Sequence, residues 1–545
     1  MPSPETPAEQ TAVSSRDEPS TLPDPYVERV RREGGVLDLT LNDSIRLALT
    51  NNLEIAIEDY NEELNREQIV ATEGFYDPIV GFSIGWESSE SPTTSIIQAG
   101  QGVATFERRG LTFGTTVQQP VLGGGDFFLT WSNNRNSSNS AFSFVNPSYG
   151  SIFDLRFVQP LWRGFMETQT ERQLKLLNLD TEISDSQFQQ RVSEIVQRVE
   201  NQYWELVFAI ENYETQRGAM QLAIIQYENS QKRVEIGVQA PIEITTTRAE
   251  VARNEQTMIQ SEVNIVQAEN ALKQLLAPDP RASIWNLNLI PTDRPEVQEV
   301  QITMAQAIET ALARRPELEQ IRLQIEKQEV NRDFLDRQGK PQVNLEFNFG
   351  SVGQAGLVRQ RELIDTDGDG IPETPGDAQV PDPSHPLFGN FGRSLTQAFG
   401  FDFLNYGAAV NVQWNFRNRT NEAELAQVAI QERQFLGQMK NEQQAIMVDV
   451  RNAFEGIQIQ KKRLEAASLQ RELSEEKLEG ENKRFEAGLS TNFQVLQSQR
   501  DLSEAQVAEL RTLIDYQLAL TALEKATYTI IDSNDIVLAR SQNGD

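Results

Sequence analysis

Cysteine is absent from the 545-residue sequence, and histidine occurs once. The first absence excludes a disulfide framework, a thiol nucleophile, a sulfur-ligated metal and a cysteine-borne lipid anchor. The single His385, in the proline-rich stretch PDPSHPLFGN, reads as a loop residue rather than a catalyst or ligand. Basic residues are also scarce: 49 Lys and Arg against 80 Asp and Glu give a formal net charge of -31. With no localised basic patch, that balance argues against a nucleic-acid partner. No apolar run reaches the length of a transmembrane helix. The N-terminal MPSPETPAEQTAVSSRDEPS has neither the basic region nor the apolar core of a signal peptide. These two absences leave a β-barrel open, because barrel strands alternate and score weakly on hydropathy.

What the sequence does contain is a long duplication, the feature to seek before any other assignment. LTLNDSIRLALTNNLE (39–54) matches ITMAQAIETALARRPE (302–317), with Thr40 over Thr303 and Glu54 over Glu317, an offset of 263. The same offset places Pro78 over Pro341. Further on the offset falls to 251, pairing KRVEIGVQAPIEITTTRAE (232–250) with KRFEAGLSTNFQVLQSQRD (483–501). Each copy is expected to open with a helix, over 39–74 and 303–338, started by Thr40 with Asp43 and by Thr303 with Gln306. Long helices are expected over 166–235 and 418–486, each about 105 Å. In the first, Phe188, Val192, Ile195, Val199, Tyr203, Leu206, Ile210 and Tyr213 form a coiled-coil-like seam. Tip turns at 236–241 and 487–492 contain Gly237 and Gly488, and helices resume over 242–276 and 493–533. Residues 1–35 are expected to be a flexible N-terminal segment, 36–276 the first repeat, 277–300 a linker, 301–535 the second repeat and 536–545 a tail. Two half-length helices end to end match one long one, so the repeat would build a rod about 100 Å tall.

Between the helices, in 78–164 and 341–416, the apolar period changes from 3.6 to 2. Val80, Phe82, Ile84 and Trp86 share one face, and Val343, Leu345, Phe347 and Phe349 another such row. Phe153, Leu155 and Phe157, and Val410, Val412, Trp414 and Phe416, repeat the pattern on returning strands. An apolar face opposite a small or polar one fits a membrane barrel and equally a sandwich with one wet face. One hairpin per copy is too little sheet to close alone, so strands must come from other subunits or remain as edges. Leu111, Phe113 and Val117, and Phe127, Leu129 and Trp131, flank Gly123–Gly125 and mark an extra hairpin, in the wall or outside it.

The duplicated LTLNDSIRLALTNNLEI and ITMAQAIETALARRPEL, the QPLWRG junction and the two R[VF]ExG turns together resemble the TolC family of outer-membrane efflux and secretion channels, over about residues 36–535. The resemblance implies an α + β membrane protein with an internal two-fold sequence repeat. It would be a homotrimeric β-barrel, four strands per chain with the extra hairpin undecided, continued by a long α-helical coiled-coil barrel. It further implies outer-membrane lipid around the barrel, a periplasmic adaptor and an inner-membrane pump at the helical tips, no catalysis, and a signal peptide already removed. The function implied is a passive exit duct for small-molecule efflux. A type I protein-secretion outlet shares that architecture, and a soluble periplasmic coiled-coil scaffold is the alternative of another class.

Family members narrow the entrance with aspartates at the positions of Gln494 and Gln497, while Glu243 holds the matching place in the first copy. Three Glu243 side chains around a threefold axis would make an acidic ring. Where some members latch the tip with Tyr and Arg, this chain has Phe485 and Ser490, which leaves Arg484 and Arg248 as candidate substitutes. No cofactor is required. In IDTDGDGIPETPGD, however, Asp365, Asp367, Asp369 and Glu373 resemble the start of an EF-hand loop, with Gly376 where the twelfth-position Glu belongs, and offer a structural Ca²⁺ site in an extracellular loop.

Overall fold

The segments expected as single helices over 39–74 and 303–338 each break once, at Asn52 and Arg315, again 263 apart. The first becomes α2 (Leu41–Asn51) and α3 (Leu53–Glu73), preceded by α1 (Tyr26–Glu33) and the short strand β1 (Val36–Leu39). Asn52 has extended backbone, with ψ 126°. Its Oδ1 accepts from the Glu54 N–H at 2.8 Å, and its Nδ2 donates to the Leu275 carbonyl at 3.2 Å. A short polar side chain here offers the backbone an alternative to the helix. At the second break Pro316 bars Arg315 from helical geometry, and Arg315 takes ψ 121° between α6 (Met304–Arg314) and α7 (Pro316–Gln338). Both helix starts are capped as their sequences require: Thr40 accepts from the Asp43 N–H, and Thr303 with Gln306 closes a capping box.

The computed structural model describes residues 22–93, 105–140, 143–277, 279–297, 299, 301–364 and 374–536. The chain divides into two units, of which the first comprises Met1–Glu62, Ile183–Arg322 and Gly437–Asp545. The long helices are α4 (Gln169–Glu235) and α9 (Arg419–Glu486), and the helices that follow their turns are α5 (Ile242–Leu276) and α10 (Asn492–Thr527). The α4 seam is the core of this unit: Val192, Ile195, Val199, Tyr203, Leu206, Ile210 and Tyr213 are buried against Ile45 and Ala48 of α2 and Leu272 and Leu276 of α5. Residues 26–33, expected within a flexible segment, are instead helical. Tyr26 meets Tyr213 edge-on with ring centroids 5.8 Å apart, and Arg29 pairs with Glu262 at 2.5 Å. The linker carries β6 (Asn288–Pro291), parallel to β1. The Tyr203 hydroxyl fixes this junction, donating to the Leu39 carbonyl at 3.1 Å and to Asp293 Oδ2 at 3.0 Å, while Asp293 Oδ2 also accepts from the Leu41 N–H at 2.6 Å. The last helix, expected to run to 533, ends where Tyr528 turns left-handed at φ 57°, and α11 (Ile530–Ser533) tucks Ile530 and Ile531 into the core.

The second unit comprises Glu63–Glu182 and Leu323–Leu436. Its sheet contains β2 (Ile79–Pro92), β3 (Thr105–Val121), β4 (Gly125–Ser138), β5 (Val145–Pro160), β7 (Gln342–Ile364) and β9 (Leu404–Gln413), hydrogen-bonded antiparallel in that order. The strand β8 (Thr374–Pro381) pairs only with the far end of β7. The extra hairpin, whose place the sequence left open, is formed by β3 and β4; it lies within the sheet and separates β2 from β5. Its alternation is in phase with both neighbours, since Val117 pairs with Val80 and Leu129, and Leu129 with Leu155. Over this belt one face of the sheet is thus largely apolar, and the other bears Ser83, Thr112, Ser132, Asn348 and Asn411. The 341–416 segment, expected as strands and loops, also holds the helix α8 (Phe391–Gly400), started by an Asn390 cap. It lies on the apolar face, where Phe391 contacts Phe113, and Phe399 contacts Trp131 and Phe153. Asp365, Asp367, Asp369 and Glu373, the calcium candidates, fall outside the described residues.

Glu200 of α4 is only 4% exposed. It accepts from Thr521 Oγ1 at 2.6 Å and Asn534 Nδ2 at 2.7 Å. Burial is the main cause that pushes its carboxyl up from 4.5 to about 7, with the neighbouring Glu524 adding to it. A raised acid favours the folded state fully below the unfolded value and loses that contribution as pH rises through 7. Glu200→Gln should therefore stabilise the protein at pH 8 by about 2–3 kcal/mol, with little effect at pH 4.5. Thermal unfolding midpoints across that range measure the difference.

Candidate functional site

The two helix reversals are built alike. Gly237 and Gly488 take φ 77° and 76°, a region that side chains with a Cβ enter only at a cost. Around each, the glycine N–H bonds the carbonyl three residues back and the next N–H bonds the carbonyl five back: Gly237 to Val234 and Val238 to Arg233, then Gly488 to Phe485 and Leu489 to Arg484. This is the paired-bond termination in which a left-handed residue satisfies the last carbonyls of a helix. The space beside both glycines is empty, so their requirement comes from the backbone alone.

Four contacts tie the first reversal to the second. Glu243 Oε2 accepts from Asn492 Nδ2 at 2.9 Å. The Asn492 Oδ1 in turn accepts from Gln226 of α4 at 2.6 Å, so one buried amide joins three helices. Arg500 grips Glu250 with two nitrogens, at 3.0 and 2.7 Å. Glu250 is buried, with its side chain 7% exposed, and this bond holds the Arg500 guanidinium firmly protonated. Finally, the Arg233 guanidinium lies 4.3 Å from the centre of the Phe485 ring. Phe485 packs with Leu478, Val495 and Leu502, and so supplies a cation–π and packing contact at the position where some members of the resembled family have Tyr.

The remaining predicted residues serve their own hairpins or the surface. Arg484 pairs with Glu481 at 3.2 Å within α9. Ser490 bonds Glu481 and, at 2.8 Å, Gln494. Gln497 donates to Asp501 at 2.7 Å. Gln494, Gln497 and Arg248 are exposed. Sequence reading passed over Gln226, Arg233, Glu250, Asn492 and Arg500. A signal was present: the 251 offset sets Glu250 over Asp501, one residue from Arg500, so opposite charges stand at almost matching heights of α5 and α10. Among the described residues no group of His, Asp or Glu converges to hold a metal ion. What the arrangement can do is hold two helical hairpins together.

Comparison with known proteins places this geometry. Residues 307–527 match the family model described as outer membrane efflux protein. No curated protein matches the chain significantly in sequence. Among solved structures, a membrane protein from Pseudomonas aeruginosa is similar in fold with TM-score 0.61 and 14% identity, covering 96% of this chain and 99% of its own. The CmeC outer membrane channel of Campylobacter jejuni gives TM-score 0.60 and 13% identity, covering 99% and 98%. The outer membrane protein VceC of Vibrio cholerae gives 0.57 and 15%, covering 94% and 99%. Helical hairpins and sheet are thus shared with outer-membrane channels.

Arg500→Ala should loosen the paired hairpins by about 2–4 kcal/mol, most of it from stranding the Glu250 carboxylate. The double substitution Arg500→Ala with Glu250→Ala should cost less than Arg500→Ala alone, a coupling that hydrogen exchange along 243–250 and 492–500 would read out. Gly237→Ala and Gly488→Ala should each destabilise by about 1–2 kcal/mol through backbone strain.

Proposed function

We propose that the chain is a TolC-like member of the outer-membrane efflux proteins, and that it is the outer-membrane duct of an efflux system, assembled as a homotrimer. The observation that carries the reading is the sheet. Phe82, Ile84 and Trp86 of β2 are 72%, 71% and 73% exposed in the single chain, a surface that water does not favour and hydrocarbon does. The outer edges of β2 and β9 are bare, with no partner strand among the described residues. Unpaired backbone groups are costly in lipid, so an apolar sheet of this kind must close on copies of itself. Threefold closure, the arrangement the family resemblance implies, satisfies both edges.

The helical reversals then form the entrance, where a periplasmic adaptor and an inner-membrane pump would engage. Efflux energy comes from that pump; the duct itself is passive and carries out no chemistry. Cargo would be small molecules, with protein secretion the same duct served by another pump. The calcium reading of Asp365, Asp367, Asp369 and Glu373 rests on their spacing alone. Glu243, already bonded to Asn492, brings one carboxylate per chain to the entrance ring.

Cell fractionation tests the first claim: the protein should sediment with outer membrane, require detergent for extraction, and behave as a trimer in it. Full solubility without detergent would overturn the duct and favour a periplasmic scaffold. Glu243→Gln keeps an oxygen for Asn492 and removes only the charge. Reconstituted in planar bilayers, this variant should show weaker cation preference than the parent, and unchanged selectivity would remove Glu243 from the filter.

A further inference from the structure

We propose that the wall of this channel contains six strands from each chain, eighteen in the trimer, and so a wider exit than a wall of four strands per chain would leave. The inference rests on the trimeric reading above and adds the place of the β3–β4 hairpin. β2 and β5 do not pair with each other; each pairs along its length with the hairpin, Ile79–Pro92 against Thr105–Gln118 and Ser148–Val158 against Asp126–Asn136. Taking the hairpin out of the wall would leave β2 with no partner in its own chain.

The apolar belt gives independent support. By strand register, Val80–Trp86 of β2 align through the intervening strands with Phe349–Ala355 of β7. The apolar residues of β7 are instead Val343–Phe349, displaced six positions along the strand. The belts between them shift in steps, Leu111–Val117, then Phe127–Trp131, then Phe153–Phe157. A belt level in the membrane must slant across register in this way when strands tilt, as they do in a closed barrel. The hairpin's two belts fall on the same slant as the rest, and α8 covers part of them through Phe391 on Phe113 and Phe399 on Trp131.

The turn of the hairpin is also built into the strand-to-helix junction. The Gly123 N–H donates to Glu171 Oε1 at 3.2 Å, and the Gly123 carbonyl accepts from Gln159 Nε2 at 3.1 Å. Gly124 sits so close to the QPLWRG loop that a Cβ would lie 2.2 Å from the Gly164 carbonyl oxygen. That turn is fixed at the level where β5 gives way to α4.

Strands about 4.8 Å apart and tilted about 40° give a backbone diameter of about 24 Å for twelve strands and about 36 Å for eighteen. The barrel cross-section therefore roughly doubles, while the entrance, set by the tips, does not change. The wall ceases to be a place where cargo size is selected.

Because the chain has no cysteine, single labels can be introduced cleanly. Nitroxides at Leu129→Cys and Thr130→Cys in the hairpin, with Val410→Cys and Ala409→Cys in β9 as controls, are compared in the full-length protein in lipid vesicles. Oxygen partitions into lipid and a nickel chelate into water. The expected result is that the ratio of oxygen to nickel accessibility reverses between 129 and 130 as it does between 410 and 409. Controls that alternate while both hairpin labels report water would place the hairpin outside the wall, overturning the eighteen-strand barrel and leaving the channel intact. Controls that fail to alternate would overturn the channel reading, and this inference with it.

Discussion

Backbone N–H and C=O groups must be paired wherever water cannot reach them, and in this chain that requirement meets a sheet with an apolar belt on one face. A strand such as β2, carrying Phe82, Ile84 and Trp86 on one side and Gly81, Ser83 and Gly85 on the other, cannot be stable as an exposed edge in either solvent alone. Lipid accepts the first face and rejects the bare edge; water does the reverse. A closed sheet with a wet interior meets both demands. In the proposed assembly closure is supplied by further copies of the chain, so oligomerisation follows from backbone chemistry and not from a separate interface.

The helical unit answers a different problem, which is how to reverse long helices and hold the reversals in one arrangement. Glycines at positive φ solve the first part at no side-chain cost. The second part falls to a small set of polar and charged contacts, with Asn492 between Glu243 and Gln226 and the Arg500–Glu250 pair nearby. Such contacts are directional and break over a short distance, whereas the packed seam around Tyr203 and Tyr213 resists separation through area. A duct whose entrance must open while its body stays closed has use for that division. The desolvated Glu250 carboxylate is worth little without Arg500, which makes the pair a discrete fastening.

Most of the helical organisation was legible because it repeats. Duplication gave the helix starts, the tip turns and the buried seam, each with a local physical cause in capping, left-handed glycine or 3.6 periodicity. The breaks at Asn52 and Arg315 were also written in the chain, in an asparagine and a following proline, but periodicity continues across them and hides the interruption. The N-terminal helix 26–33 was missed for another reason: its stability comes from Tyr213 and Glu262, nearly two hundred residues or more away in sequence. Of the tip contacts, Glu243 and Phe485 were visible as positions and their partners were not.

The sequence by itself determined the long helices, where they reverse, and the alternation that gives the long strands an apolar side, because those properties depend on neighbours a few residues apart. Tertiary structure alone decided how the strands are ordered and which side chains meet at the tips. The β3–β4 hairpin shows why: alternation makes a strand suitable for a sheet but says nothing about its neighbours. Only the hydrogen-bonded register sets Val117 between Val80 and Leu129, and places the hairpin within the sheet rather than beside it.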